Sequence, residues 1–155
     1  MKEIQGNIWD FHKQGHWVVI TTNGSIRKDG KAVMGKGVAK EAAERFPGLA
    51  EDLGTRISHF GNHFFRFDGL GIATLPVKHR WMEKADFTLI EQSIKEMLET
   101  LPCNLTKVYM VRPGCGNGGL DWKDVKPILE IYLDDRFVIV EKEDQGRHKE
   151  NDLHS

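Results

Sequence analysis

Along the chain, short apolar runs alternate with longer segments in which apolar residues recur every three or four positions. Four runs have strand length: Trp17-Val18-Val19-Ile20, Gly71-Ile72-Ala73-Thr74-Leu75, Val108-Tyr109-Met110-Val111 and Phe137-Val138-Ile139-Val140. They are continuous rather than alternating, the pattern of strands covered on both faces. Between them the spacing predicts three helices. From 38 to 46, Val38, Ala42, Ala43 and Phe46 share one side. From 87 to 101, Phe87, Ile90, Ile94, Met97, Leu98 and Leu101 form a stripe, with Asp86 placed to cap it. Val125, Ile128, Leu129 and Leu133 mark a third helix, which starts near Asp121-Trp122. Residues 63–67 and the segment from Gly69 onward read as a hairpin around Asp68-Gly69. Strands alternating with helices give an α/β sheet covered by helices.

No internal repeat and no Pro- or Ser-rich linker divides the chain, so one domain is expected over 1–141, followed by a tail over 142–155. From Glu141 onward the sequence is almost entirely polar. It cannot bury enough apolar surface to offset the entropy of ordering, and it reads as a solvated extension.

Charge and cysteine content narrow the functional classes. The 155 residues carry 22 Lys+Arg against 23 Asp+Glu, a net charge of −1. That argues against binding nucleic acid through bulk charge and leaves room for a local basic strip. Two cysteines, Cys103 and Cys115, make neither a disulfide framework nor a four-thiolate zinc site, so a reducing, cytoplasmic setting is expected. No apolar run approaches the ~18–20 residues of a membrane span, and Met1-Lys2-Glu3-Ile4 lacks the apolar core of a signal peptide. A monomer with no membrane partner is the expectation.

The chemistry is concentrated after the strands, where ligands bind in such sheets. The first strand is followed by Thr21-Thr22-Asn23-Gly24, then by Val33-Met34-Gly35-Lys36-Gly37-Val38 at the start of a helix. Successive N–H groups at a helix start make an anion site; a Gly-x-Gly also serves as a plain tight turn. The ending and spacing of a Walker loop are absent. After the third strand comes Arg112-Pro113-Gly114-Cys115-Gly116-Asn117-Gly118-Gly119-Leu120-Asp121-Trp122. Four glycines in six positions cost folding entropy, and a loop of donors wrapped on a phosphate accounts for them. Two such loops suggest a clamp on a diphosphate. The second run leads into Pro76-Val77-Lys78-His79-Arg80-Trp81. Lys78 is either a surface lysine at a strand exit or an amine aimed into the crevice, activated by desolvation or by Arg80.

Together these segments resemble the macrodomain family, over roughly Gly6 to Val140. Gly6-Asn7-Ile8 resembles the Gly-Asp-Ile/Leu segment that meets adenine. Thr22-Asn23 resembles the strand-end asparagine that meets the distal ribose. Met34-Gly35-Lys36-Gly37-Val38-Ala39 and Gly114–Gly119 resemble the two phosphate loops. The resemblance implies a three-layer α/β/α fold with a mixed central sheet and a site for ADP-ribose. Asn7 and Ile8 would lie at the adenine and Asn23 at the ribose. Met34, Gly35, Lys36, Gly37 and Val38 would form the first loop. Pro113, Gly114, Cys115, Gly116, Asn117, Gly118 and Gly119 would form the second. Within the family the chain is most similar to the branch of the terminal ADP-ribose glycohydrolase and the antitoxin macrodomains that remove ADP-ribose from DNA. In that branch the lysine after the central strand is catalytic, which falls on Lys78. The implied activity is hydrolysis of ADP-ribosyl linkages on protein or nucleic acid, ADP-ribosylated DNA included, with no cofactor or metal. A non-catalytic reader of ADP-ribose, or a hydrolase of small derivatives such as ADP-ribose-1″-phosphate, are the alternatives. Two positions depart from the pattern. Asn7 stands where the family has aspartate, and Gly118 stands where the terminal glycohydrolase has a second-loop aspartate, with Asp121 three residues later.

The remaining candidates read as structure. His12/His16 and His59/His63 have a metal-like spacing, yet Gly15 and Gly61 interrupt them and neither stretch reads as helix. Cys115 reads as a small residue that fits its loop, since no histidine is adjacent, and Cys103 as core or loop. Trp9 and Phe11 are expected to pack near the adenine, and Trp122 in the core. Trp81 either stacks on a ligand or flipped base or covers apolar surface. Gly30, Gly48, Gly54 and Gly69 read as turn punctuation.

Overall fold

A computed structural model of the chain describes residues 1–143. Six strands form one sheet: β1 (Lys2–Gly6), β2 (Trp17–Asn23), β3 (Phe65–Phe67), β4 (Ile72–Lys78), β5 (Val108–Val111) and β6 (Phe137–Lys142). Their order is β1-β6-β5-β2-β4-β3. Every neighbouring pair is parallel except β3 with β4, which is antiparallel. Five helices pack on it: α1 (Ile8–Lys13), α2 (Gly37–Arg45), α3 (Leu49–Phe60), α4 (Phe87–Thr100) and α5 (Trp122–Tyr132).

The continuous apolar runs are explained by burial on both faces. In β2, Val18 and Ile20 join one core with Trp9 of α1, Ala42 of α2 and Leu53 of α3. Val19 between them joins a second core with Ile94 of α4 and Leu129 of α5. In β6, Val138 and Val140 face the first core, Phe137 and Ile139 the second. The sheet is thus the middle of three layers, an α/β/α architecture with a mixed sheet. Each fully buried aliphatic side chain stabilises it by roughly 1.5–3 kcal/mol. The connection from β4 through α4 to β5 passes over β2, so the chain leaves β2 in opposite directions. A crevice opens where that reversal occurs.

The three predicted helices are α2, α4 and α5. Asp86 caps α4, its carboxylate accepting from the Thr88 N–H. The hairpin is present, closed by a single 3-10 turn at Asp68–Leu70. Three elements were not anticipated. β1 is a mostly exposed edge strand, so it carries no apolar run. α1 has only six residues. α3 carries Gly54, read from sequence as turn punctuation. It lies instead inside the helix, because the Gly30 carbonyl and Ala32 N–H pack where its side chain would be. The histidine reading changes too: His12 lies on α1 and His59 on α3. The second histidine of each pair lies outside the helix, and the contacts go elsewhere: His12 meets the Leu70 carbonyl and His63 meets Glu96.

β4 also runs three residues beyond the expected Leu75. A bulge accommodates Pro76: Thr22 pairs with Pro76 and Asn23 with Lys78, leaving Val77 as the extra residue. Proline within a sheet is tolerated at such irregularities. β6 pairs with β1 as far as Lys142. The tail expected over 142–155 lies, from residue 144 on, outside the described residues.

Candidate functional site

The carboxyl ends of β2, β4, β5 and β6 frame a cavity of about 660 Å³. Its first wall is built by Asn23. The Asn23 Nδ2 donates to the Val33 carbonyl at 3.1 Å and its Oδ1 accepts from the Ser25 N–H at 2.9 Å. These bonds fold the 24–33 excursion back on itself and deliver Gly35, Lys36 and Gly37 to the cavity. α2 then begins at Gly37, with no side-chain cap from Lys36. The N–H groups of Gly37 and Val38 have no carbonyl within the helix to meet, which leaves them for a ligand.

The opposite wall is the glycine-rich loop after β5. It closes on itself through Leu120 N–H to Gly114 O and Gly119 N–H to Gly116 O, both at 3.0 Å. Gly114 has φ +75°, and a Cβ there would meet Ile90 and Ala85. At Gly118 the Gly114 carbonyl fills the place of any side chain. Among the described residues, the N–H groups of Asn117 and Gly118 donate to no protein acceptor. The Asn117 amide reaches across to the first loop, its Nδ2 2.6 Å from where a Gly37 Cβ would stand.

Lys78 ends β4 and lines the cavity between the two loops. Its Nζ donates to the Trp81 carbonyl at 3.4 Å. The segment that follows is tied to both walls: Trp81 N–H donates to Ser25 Oγ and Ala85 N–H to the Gly118 carbonyl, each at 2.9 Å. Trp81 lines the cavity and remains half exposed. Among the described residues, the carboxylate lining this cavity is Glu141, which is held by Arg112 at 3.2 Å.

A second hollow of about 470 Å³ continues the first, sharing Gly37, Val38, Val111, Val140 and Lys142 with it. Asn7, Ile8 and Trp9 line this end. Asn7 is the N-cap of α1, its Oδ1 accepting from the Trp9 N–H. The Trp9 indole donates to Glu41 at 2.8 Å, and Arg45 lies over its ring. Phe11 instead stacks on Tyr109.

The structure therefore gathers Asn7, Ile8, Asn23, Gly35, Lys36, Gly37, Val38 and the Gly114–Gly118 loop along one cleft with Lys78. Met34, Pro113 and Gly119 do not line it; Met34 is buried in the first core. Cys115 does line it, but burial pushes its thiol up to about 11, which keeps it protonated and unreactive. Cys103 is exposed, and Trp122 is half-buried with its indole donating to Glu3. Arg112, Glu141 and Lys142 also line the cleft without having been singled out. The signal for them was their position at strand ends. Asp121 is the N-cap of α5, with no side-chain capping bond, and does not itself line the cleft. In chemical terms the cleft joins backbone N–H donors to the cationic side chains of Lys36 and Lys78, a combination that suits an anionic ligand.

This sheet order, layered on both faces with a glycine-walled cleft at the strand ends, is the macrodomain fold. The chain superposes on the macrodomain of Mycobacterium tuberculosis DarG with a TM-score of 0.71 at 22% identity, over 90% of this chain and 95% of that one. The macrodomain of Thermus aquaticus DarG gives 0.68 at 22% identity, over 90% and 95%. Thermosipho africanus DarTG in complex with ADP-ribose gives 0.73 at 18% identity, over 92% of this chain but only 41% of that longer one. No protein-family model and no curated protein sequence matches the chain.

Proposed function

We propose that this chain binds ADP-ribose and hydrolyses ADP-ribosyl linkages, releasing ADP-ribose from a modified nucleic acid or protein. The observation that carries the reading is Lys78, at the end of β4 and lining the same cleft as the two glycine-containing loops. The shared fold with an ADP-ribose-bound neighbour supports the choice of ligand. The backbone donors of Gly37, Val38, Asn117 and Gly118 hold the diphosphate, so positioning does not depend on side-chain charge. Asn23 keeps one amide hydrogen and one lone pair beyond its loop bonds, and with them it orients the distal ribose. Asn7 presents its amide to the adenine in the same way. Lys78 acts at C1 of the distal ribose, as nucleophile or by stabilising charge on the departing group. Water supplies the hydroxyl that replaces that group and the proton that it carries away.

Wild type and Lys78→Ala are to be incubated with ADP-ribosylated thymidine-DNA, ADP-ribosyl-glutamate and ADP-ribose-1″-phosphate, with ADP-ribose affinity followed by calorimetry. The variant loses hydrolysis and keeps its affinity for free ADP-ribose. Turnover that survives the substitution removes Lys78 from the mechanism. If wild type cleaves none of the three while ADP-ribose binds, the chain is a reader.

A further inference from the structure

We infer that Asn62 is the positioning residue for Lys78, acting from outside the cleft through the lysine's backbone carbonyl; this rests on the hydrolase reading above. The inference starts from the bulge. Successive side chains of a strand point to opposite faces: Val77 joins the second core with Ala73 and Leu75, and Lys78, next along, reaches the cavity. At this point the pairing with β2 becomes two-against-one, with Thr22 opposite Pro76 and Asn23 opposite Lys78. Such a bulge disrupts the ladder locally, so other donors must fix the backbone where Lys78 leaves the sheet.

Two donors converge on the Lys78 carbonyl. One is the Gly24 N–H at 3.2 Å. The other is the Asn62 Nδ2 at 3.0 Å, from the loop between α3 and β3. The approach is built into the sequence on both sides. A Cβ on Gly24 would stand 2.8 Å from the Asn62 amide and 2.7 Å from the His79 carbonyl, so only glycine lets Asn62 reach. Gly61, at φ +91°, ends α3 and turns the chain toward the site. Beyond Asn62, the Phe64 N–H and the His63 ring both bond to Glu96 of α4, which anchors the loop to a rigid element. Asn62 itself is not among the residues that line the cleft. It touches no ligand. Its amide fixes where the Lys78 backbone sits, and with it the point from which the amine extends into the cleft.

The test compares wild type, Asn62→Ala and Asn62→Asp in the full chain. Asp keeps size and shape and removes the donor, so a packing role would tolerate it. The expected result is a fall in kcat of about tenfold to a hundredfold for both variants, with ADP-ribose affinity and melting temperature close to wild type. A second readout does not need turnover. Under limiting acetic anhydride, peptide mass spectrometry should show the ratio of Lys78 to Lys36 acetylation changing in both variants. Unchanged kcat and an unchanged labelling ratio in Asn62→Asp would overturn the inference. So would a loss of affinity and melting temperature as large as any loss of kcat, which marks a merely structural residue. If wild type hydrolyses nothing, the hydrolase reading fails alone and the labelling ratio still decides whether Asn62 sets the amine.

Discussion

At the scale of single residues, Gly118 limits what the second loop can offer. The Gly114 carbonyl stands where its side chain would go, so a carboxylate cannot be restored there without moving backbone. Gly118→Asp is therefore expected to lower unfolding free energy by about 1–3 kcal/mol through overpacking and to gain no hydrolysis. Denaturant titration beside the hydrolysis assay checks both. The glycine density of this loop was legible in the sequence because it follows a strand that stands out as an apolar run, whereas Lys78 kept two readings as a strand-exit lysine until the family resemblance singled it out. The reason for glycine at 118 was not legible, since the obstructing carbonyl comes from a loop closure that no spacing reveals. Asn62 was equally hidden. An isolated asparagine between a glycine and a histidine has no pattern, and its bond to the Lys78 carbonyl joins positions 16 apart that only the fold brings together.

At the scale of elements, α4 shows how a cap couples to solution conditions. The Asp86 carboxyl is held below the usual aspartate range, chiefly by its bond to His79, with the Thr88 N–H adding to it against opposing burial. A depressed folded-state value means that the stabilisation is complete above the unfolded value of ~3.9. It is lost as pH falls through the lower folded value. Asp86→Ala should cost about 1 kcal/mol at neutral pH. The gap in melting temperature from wild type should close on acidification below that range. Asp86 was readable from sequence because a capping residue precedes an unbroken apolar stripe. α3 was not, although Leu49, Leu53 and Ile57 recur every four residues. Gly54 interrupts the stripe, and helix–loop packing, not a turn, is what demands it. β1 escaped because an edge strand exposed on both faces needs no apolar alternation.

At the scale of the whole molecule, the ends of β2, β4, β5 and β6, two loops and the start of α2 meet in one cavity. What joins them is the stretch after Lys78, bonded at Trp81 to Ser25 and at Ala85 to Gly118. Ser25→Ala removes one of these ties, a hydrogen bond of about 1 kcal/mol. Both ADP-ribose affinity and turnover should fall roughly fivefold on that scale, measured by calorimetry and by the hydrolysis assay. A loss confined to one of the two would mean that the walls and the lysine respond separately. The order of elements made the position of the cleft predictable before any coordinates, because ligands in such sheets sit at the carboxyl ends. The cross-connections were beyond the sequence, since they join residues 56 positions apart for Ser25 and Trp81.

That double tether bears on selectivity. In the proposed reaction the part of the substrate held by the loops would lie away from the bond to be cut, while the backbone tied to Ser25 and Gly118 carries the Trp81 carbonyl that accepts from Lys78. Grip on the diphosphate would then act as alignment at the ribose. A fragment bearing only the scissile end would be a poor substrate in turnover as well as in affinity. The chain would discriminate by the whole length of its ligand while reacting at one atom.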